Sequence, residues 1–139
     1  DGTCPVARAL CVWGRRGTAG MGGRGRVLGS NDGAIRWQLG RPGLWLDGRA
    51  EAGMEGMKRA LARGLGGDGV RVVCIVPGNV QTPRQMKWYT PEGEAEIVAA
   101  QCLPGRLQPN DVAALGLFLA SDDARLITGH EYFVDAGWR

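Results

Sequence analysis

The segment from Val70 to Val76, VRVVCIV, followed at once by Pro77-Gly78, limits what this chain can fold into more than any other stretch. An almost unbroken β-branched run stopped by a turn pair predicts a strand covered on both faces. Such strands belong to parallel sheets layered by helices. The flanking sequence fits that frame. Met54, Met57, Leu61 and Leu65 make one apolar stripe, predicting a helix from Ala52 that ends near Gly64 to Gly67. After a polar loop to Tyr89, Thr90 can cap a helix, Pro91 suits its first position, and Glu92 and Glu94 favour its positive end. That helix is expected to run to about Cys102. Pro109-Asn110-Asp111 then opens VAALGLFLA, apolar almost all round and so expected to be buried, before Thr128-Gly129 turns the chain into a strand over Glu131 to Val134. Helix, strand, helix, helix, strand is an α/β order.

The front of the chain differs in kind. Residues 1–70 hold 18 of the 24 glycines, and residues 1–50 hold eight arginines and no lysine. Glycine at this density costs backbone entropy on ordering and gives a core no side chains, so Gly14 to Gly33 is expected to be poorly ordered. Leu10 to Trp13 and Arg26 to Leu28 are weak strands at best. We therefore divide the chain into a Gly/Arg-rich segment, 1–33, and a partial domain, 34–139. Gly20 to Gly25, GMGGRG, satisfies G-x-G-x-x-G, but no strand is predicted before it and no helix after it, so it lacks the setting that gives the motif meaning.

At 139 residues the chain suits one domain or part of one, and it begins at Asp1 rather than Met, so we read it as a fragment. Its net charge of +3 is mild and its basic residues are spread out. Cys4, Cys11, Cys74 and Cys102 form no CxxC pair, and the single histidine, His130, has no thiol at metal-site spacing, so free thiols and no metal are expected. No run approaches about 18 consecutive apolar residues, and no signal peptide is evident, which favours a cytoplasmic protein with no membrane partner. GRRGTAGMGGRGR has the arginine and glycine content of RNA-binding tails, yet it lacks interleaved aromatics, and we expect no nucleic-acid partner.

Three segments, RALARGLGGDGVRVVCIVPGNVQTPR, GRLQPNDVAALGLFLASDDARLITG and YFVDAGW, resemble in order and spacing the carboxyl-terminal half of short-chain dehydrogenase/reductases. KWYTPEGEAEIVAAQCL between them is similar to the sugar 1-dehydrogenases of that family. The likeness is strongest over 52–139. It implies a Rossmann-like doubly wound parallel sheet, NAD or NADP as cofactor, and oxidation of an aldose at C1 to the lactone. The family's Pro-Gly-x-Val-x-Thr is matched by Pro77, Gly78, Val80 and Thr82, which are carried over as cofactor contacts at the carboxyl end of a parallel strand. Trp88 and Tyr89 fall in the loop that covers the substrate in such enzymes, where a ring can stack on a sugar or simply pack. Asn79 and Gln85 are further candidates for a sugar hydroxyl. His130 is read as structural.

The resemblance also carries a deficit. The family's serine, tyrosine and lysine fall, by spacing back from AGMEGM, on Ala34, Asp47 and Glu51. Asp47 is too short to reach where a tyrosine hydroxyl would act, and Glu51 one turn on repels it instead of lowering its pKa. A glycosidase-type carboxylate pair places its groups on opposite sides of a bond, not on one helical turn. No catalytic residue is therefore assigned, and the chain by itself is expected to be inactive. The resemblance implies homo-oligomers or association with a related paralogue, so a non-catalytic partner is the alternative.

Overall fold

The structure, a computed structural model, describes residues 26–31, 56–83, 85–87 and 89–138. Three parallel strands, β1 (Arg26–Asn31), β2 (Val70–Pro77) and β3 (Glu131–Val134), form one sheet in the order β1-β2-β3. With them go helix α1 over 56–65, α2 (Pro91–Ala99) and α3 (Pro109–Ala120).

The β-branched run is the central strand. Val70 to Val76 is buried apart from the half-buried Ile75, and β2 pairs with β1 from Arg26↔Val70 to Asn31↔Ile75 and with β3 from Cys74↔Glu131 to Pro77↔Val134. Its one charged residue, Arg71, is only 8% exposed. Its guanidinium donates to the carbonyls of Leu119 (2.7 Å) and Ser121 (3.3 Å), supplying donors to the end of α3, where backbone acceptors and the helix dipole both favour a cation. On the other side, Lys58 of α1 reaches Glu131 of β3 at 2.7 Å, so the buried ammonium is paired.

The weak strand read at Arg26 to Leu28 falls within β1. A parallel ladder is made by backbone groups, so a glycine-bearing stretch can join it once β2 offers a partner edge. The rest of 1–33 lies outside the described residues.

Helix ends follow their local chemistry. α1 gives way to a 3-10 turn, Gly66–Asp68, closed by Gly69 at φ +73°. In α2 the Thr90 hydroxyl accepts from the Gly93 N–H at 3.2 Å, and Pro91 begins the helix as expected. α2 stops at Ala99, short of the expected Cys102, because the Cys102 and Leu103 N–H groups both donate to the Ala136 carbonyl (2.9 and 3.0 Å). At the start of α3 the Gln108 N–H donates to the Asp111 carboxylate at 2.7 Å.

α3 is a correction. Leu119 is 1% exposed and packs with Val73 and Ala124, joined by Ile75, Leu115, Ile127 and Tyr132, but Leu117 is 74% and Phe118 44% exposed. Apolar residues all round a helix are buried only if something covers each side, and here the sheet covers one. No described helix is long and apolar enough to cross a membrane.

Candidate functional site

The loop from Pro77 to Thr82 leaves β2 at the carboxyl end of the sheet and is held from two sides. The Gly78 N–H donates to the Val134 carbonyl at 2.8 Å, while the Gln81 N–H donates to the Leu107 carbonyl at 2.7 Å and Val80 bridges Leu107. Gly78 has no room for a side chain: a Cβ there would lie 2.8 Å from Asp135 Cα and 3.0 Å from Leu107 Cδ1. The Pro-Gly pair therefore does more than stop a strand. It lets the loop pass against the segment after β3.

Thr82 organises the adjoining turn. Its hydroxyl accepts from the Gln85 N–H (3.3 Å) and its carbonyl from the Met86 N–H (2.9 Å), opening a 3-10 turn, Gln85–Lys87. As an acceptor there, the hydroxyl keeps its own proton to donate. Gln85 Oε1 is buried without a partner among the described residues. Beyond the turn the chain returns to the loop, where the Tyr89 hydroxyl donates to Asn79 Oδ1 at 2.9 Å.

Six of the candidate residues, Pro77, Gly78, Asn79, Val80, Thr82 and Tyr89, are thus brought together in one loop and the segment hydrogen-bonded to it, with Gln85 joined through its backbone. Trp88 lies outside the described residues, as do Ala34, Asp47 and Glu51. His130 is exposed, and its carbonyl accepts from the Cys74 N–H, a structural use. Neither Cys74 nor Cys102 is in a disulfide, and no group of three metal-ligating side chains occurs among the described residues.

One residue at this end of the sheet carries no signal that spacing could pick up. Arg106 contacts Asn79, Tyr89 and Glu94, although in sequence it is one arginine among many.

Residues 33–139 match a family described as enoyl-(acyl carrier protein) reductase. The chain is 66% identical over 120 residues to a D-xylose 1-dehydrogenase of Caulobacter vibrioides, covering 86% of this chain and 48% of that protein. This is a short-chain dehydrogenase/reductase. A probable galactose dehydrogenase of Rhizobium meliloti is 36% identical over 108 residues, with 77% of this chain and 42% of that protein covered. Among solved structures, a blue fluorescent protein from a metagenomic library in complex with NADPH superposes with a TM-score of 0.82 at 31% identity, covering 94% of this chain and 51% of that one. A short-chain dehydrogenase from Burkholderia cenocepacia J2315 shares the fold with a TM-score of 0.79 at 23% identity, covering 99% and 58%. The present short-chain dehydrogenase chain spans about half the length of the curated relatives it matches. Its α/β architecture, with parallel strands and helices in the family's order, is the Rossmann-like one that the resemblance implied.

Proposed function

We propose that the chain is the carboxyl-terminal half of an NAD(P)-dependent sugar 1-dehydrogenase that oxidises an aldose at C1 to the lactone. The observation that carries this is the 66% identity to the Caulobacter D-xylose 1-dehydrogenase. The loop's hydrogen-bonding groups suit the cofactor. A nicotinamide carboxamide presents one acceptor and two donors. The Val80 carbonyl and the Thr82 N–H have no partner among the described residues, and the Thr82 hydroxyl keeps a proton to give. Val80 and Thr82 would hold the carboxamide, with Gly78 letting the loop approach, and the cofactor when bound would accept the hydride from C1. Asn79, Gln85, Trp88 and Tyr89 are proposed to face the sugar.

Catalysis needs a base for the hydroxyl proton. With Ala34, Asp47 and Glu51 at the serine, tyrosine and lysine positions, the chain supplies none. The purified 139-residue chain is therefore expected to give no lactone from D-xylose or L-arabinose with NAD or NADP, monitored by nicotinamide absorbance. Turnover above a blank would overturn the inactivity. Failure of NADP to shift the resonances of Val80 and Thr82 at millimolar concentration would count against the cofactor assignment.

A second reading is favoured by the uncovered apolar surface of α3 and by Phe133, 44% exposed on the outer strand β3. In it the chain is a non-catalytic partner that associates through these elements with itself or with a related dehydrogenase.

A further inference from the structure

Asn79 and Tyr89 are ten residues apart, yet they are joined at 2.9 Å. The residue that organises this contact is Arg106, whose side chain is 8% exposed. Its Nη1 is paired with Glu94 Oε2 in the first turn of α2. Its Nη2 donates to both the backbone carbonyl and Oδ1 of Asn79, 3.2 Å each, and its Cζ lies 5.5 Å from the centroid of the Tyr89 ring. One guanidinium therefore ties together the loop after β2, the segment returning from the 3-10 turn, and α2.

The same contacts orient Asn79. A guanidinium only donates, so the side-chain atom facing it must be the amide oxygen. The Tyr89 hydroxyl donates to that oxygen as well. With Oδ1 taken by two donors, Nδ2 is the Asn79 side-chain group that keeps its hydrogen-bonding capacity for a ligand.

We propose that Arg106 is a positioning residue: it locks residues 77–82, 85–87 and 89–90 onto α2 as one unit and turns Asn79 so that it offers a ligand an N–H donor and no acceptor. What this selects rests on the proposed function. A fixed donor beside the nicotinamide loop favours ligands with an oxygen lone pair at that point, as a sugar hydroxyl or ring oxygen has. Lysine cannot replace the arginine, because one ammonium on a flexible stem does not hold Glu94 and both Asn79 oxygens at once while stacking on a ring.

Hydrogen exchange of the 139-residue chain tests this without sugar or cofactor, so failure of the dehydrogenase reading leaves the outcome interpretable. The Gly78, Val80, Gln81, Gln85 and Met86 amides, hydrogen-bonded in the structure, should be protected in the unaltered chain. Arg106→Gln and Arg106→Lys should each speed their exchange by at least about tenfold, the scale of a lost charged hydrogen bond, while 70–76 and 131–134 keep their rates. Wild-type protection in the lysine variant would show that charge alone suffices and overturn the proposal. So would acceleration spread over the whole chain, or no protection of those five amides to begin with. Asn79→Asp, which keeps an oxygen facing Arg106, should retain protection, whereas Asn79→Ala should lose it; equal behaviour of the two would refute the orientation of the amide. If the Arg106 variants do not fold, Tyr89→Phe serves instead. It removes only the hydroxyl and should speed exchange at Gln85 and Met86 while sparing 91–99, and unchanged exchange at those two amides would overturn the clamp.

Discussion

At the scale of single residues, the positions that matter most are those where one atom too many or too few has nowhere to go. Gly78→Ala would press a Cβ onto the backbone at Asp135, 2.8 Å away, where no flexible side chain can yield. Either the loop or the segment after β3 must shift, at about 1–3 kcal/mol. Urea unfolding of the variant should show a lower midpoint, and loss of the Gly78 to Val134 hydrogen bond should be visible as faster exchange at residue 78. Arg71 is the converse case. Arg71→Met keeps much of the apolar stem but leaves the Leu119 and Ser121 carbonyls without their donor, which should cost about 1–3 kcal/mol by the same measurement. Glu92 gives a pH signature. Hydrogen bonding to its own backbone N–H, then to the Thr90 hydroxyl, holds its carboxyl below the ordinary value of 4.5. A depressed folded-state pKa stabilises above the unfolded value, and that contribution is lost as pH falls through the folded one. Glu92→Gln should therefore flatten the acid limb of the stability profile below pH 4.5, with no difference from wild type in the slope near neutrality.

Among the elements, α2 and α3 show how differently local and tertiary signals act. α2 is set at its start by neighbours in sequence, so Thr90→Ala should destabilise by about 1 kcal/mol and fray the first turn, seen as faster exchange near Gly93. Its end is set by Ala136, distant in sequence, which captures the Cys102 and Leu103 N–H groups. α3 has an apolar surface that the described residues leave open. Leu117→Glu removes exposed hydrocarbon without touching the Leu119 core, so the unfolding midpoint at low concentration should hold within error while self-association, and with it the rise of the midpoint with concentration, weakens. Sedimentation over a concentration range reads this. An unchanged association constant would point away from α3 as the contact.

For the whole molecule, the sheet has three described strands with β2 alone protected on both edges, and both outer strands are parallel to it. Among the described residues no further strand covers the outer edges of β1 and β3, and such edges, with the apolar surface of α3, favour pairing with another chain. The 139-residue chain is expected to melt at a temperature that rises with protein concentration, because association and folding are then linked. A sharp, concentration-independent melt of a monomer would show that the three strands and their helices suffice alone.

Sequence alone determined what depends on near neighbours. The β-branched run before Pro77-Gly78 could only be an inner strand, Thr90-Pro91 could only begin a helix, and Thr128-Gly129 turns the chain, with Gly129 at φ +75°, into the last strand. Spacing of the Pro-Gly-x-Val-x-Thr match likewise marked the loop that the fold brings to the carboxyl end of the sheet. What only the tertiary structure decided depends on partners far away in the chain. β1 runs to Asn31 because β2 lends it a backbone edge, where its own residues announced only a weak strand at Arg26 to Leu28. The surface of α3 is open because burial is a property of what covers a helix, not of the helix. Arg106 acquires its role because Asn79, Tyr89 and Glu94 converge on it from three segments. A guanidinium's hydrogen-bond partners are set by position in space, and position in space is what folding adds to sequence.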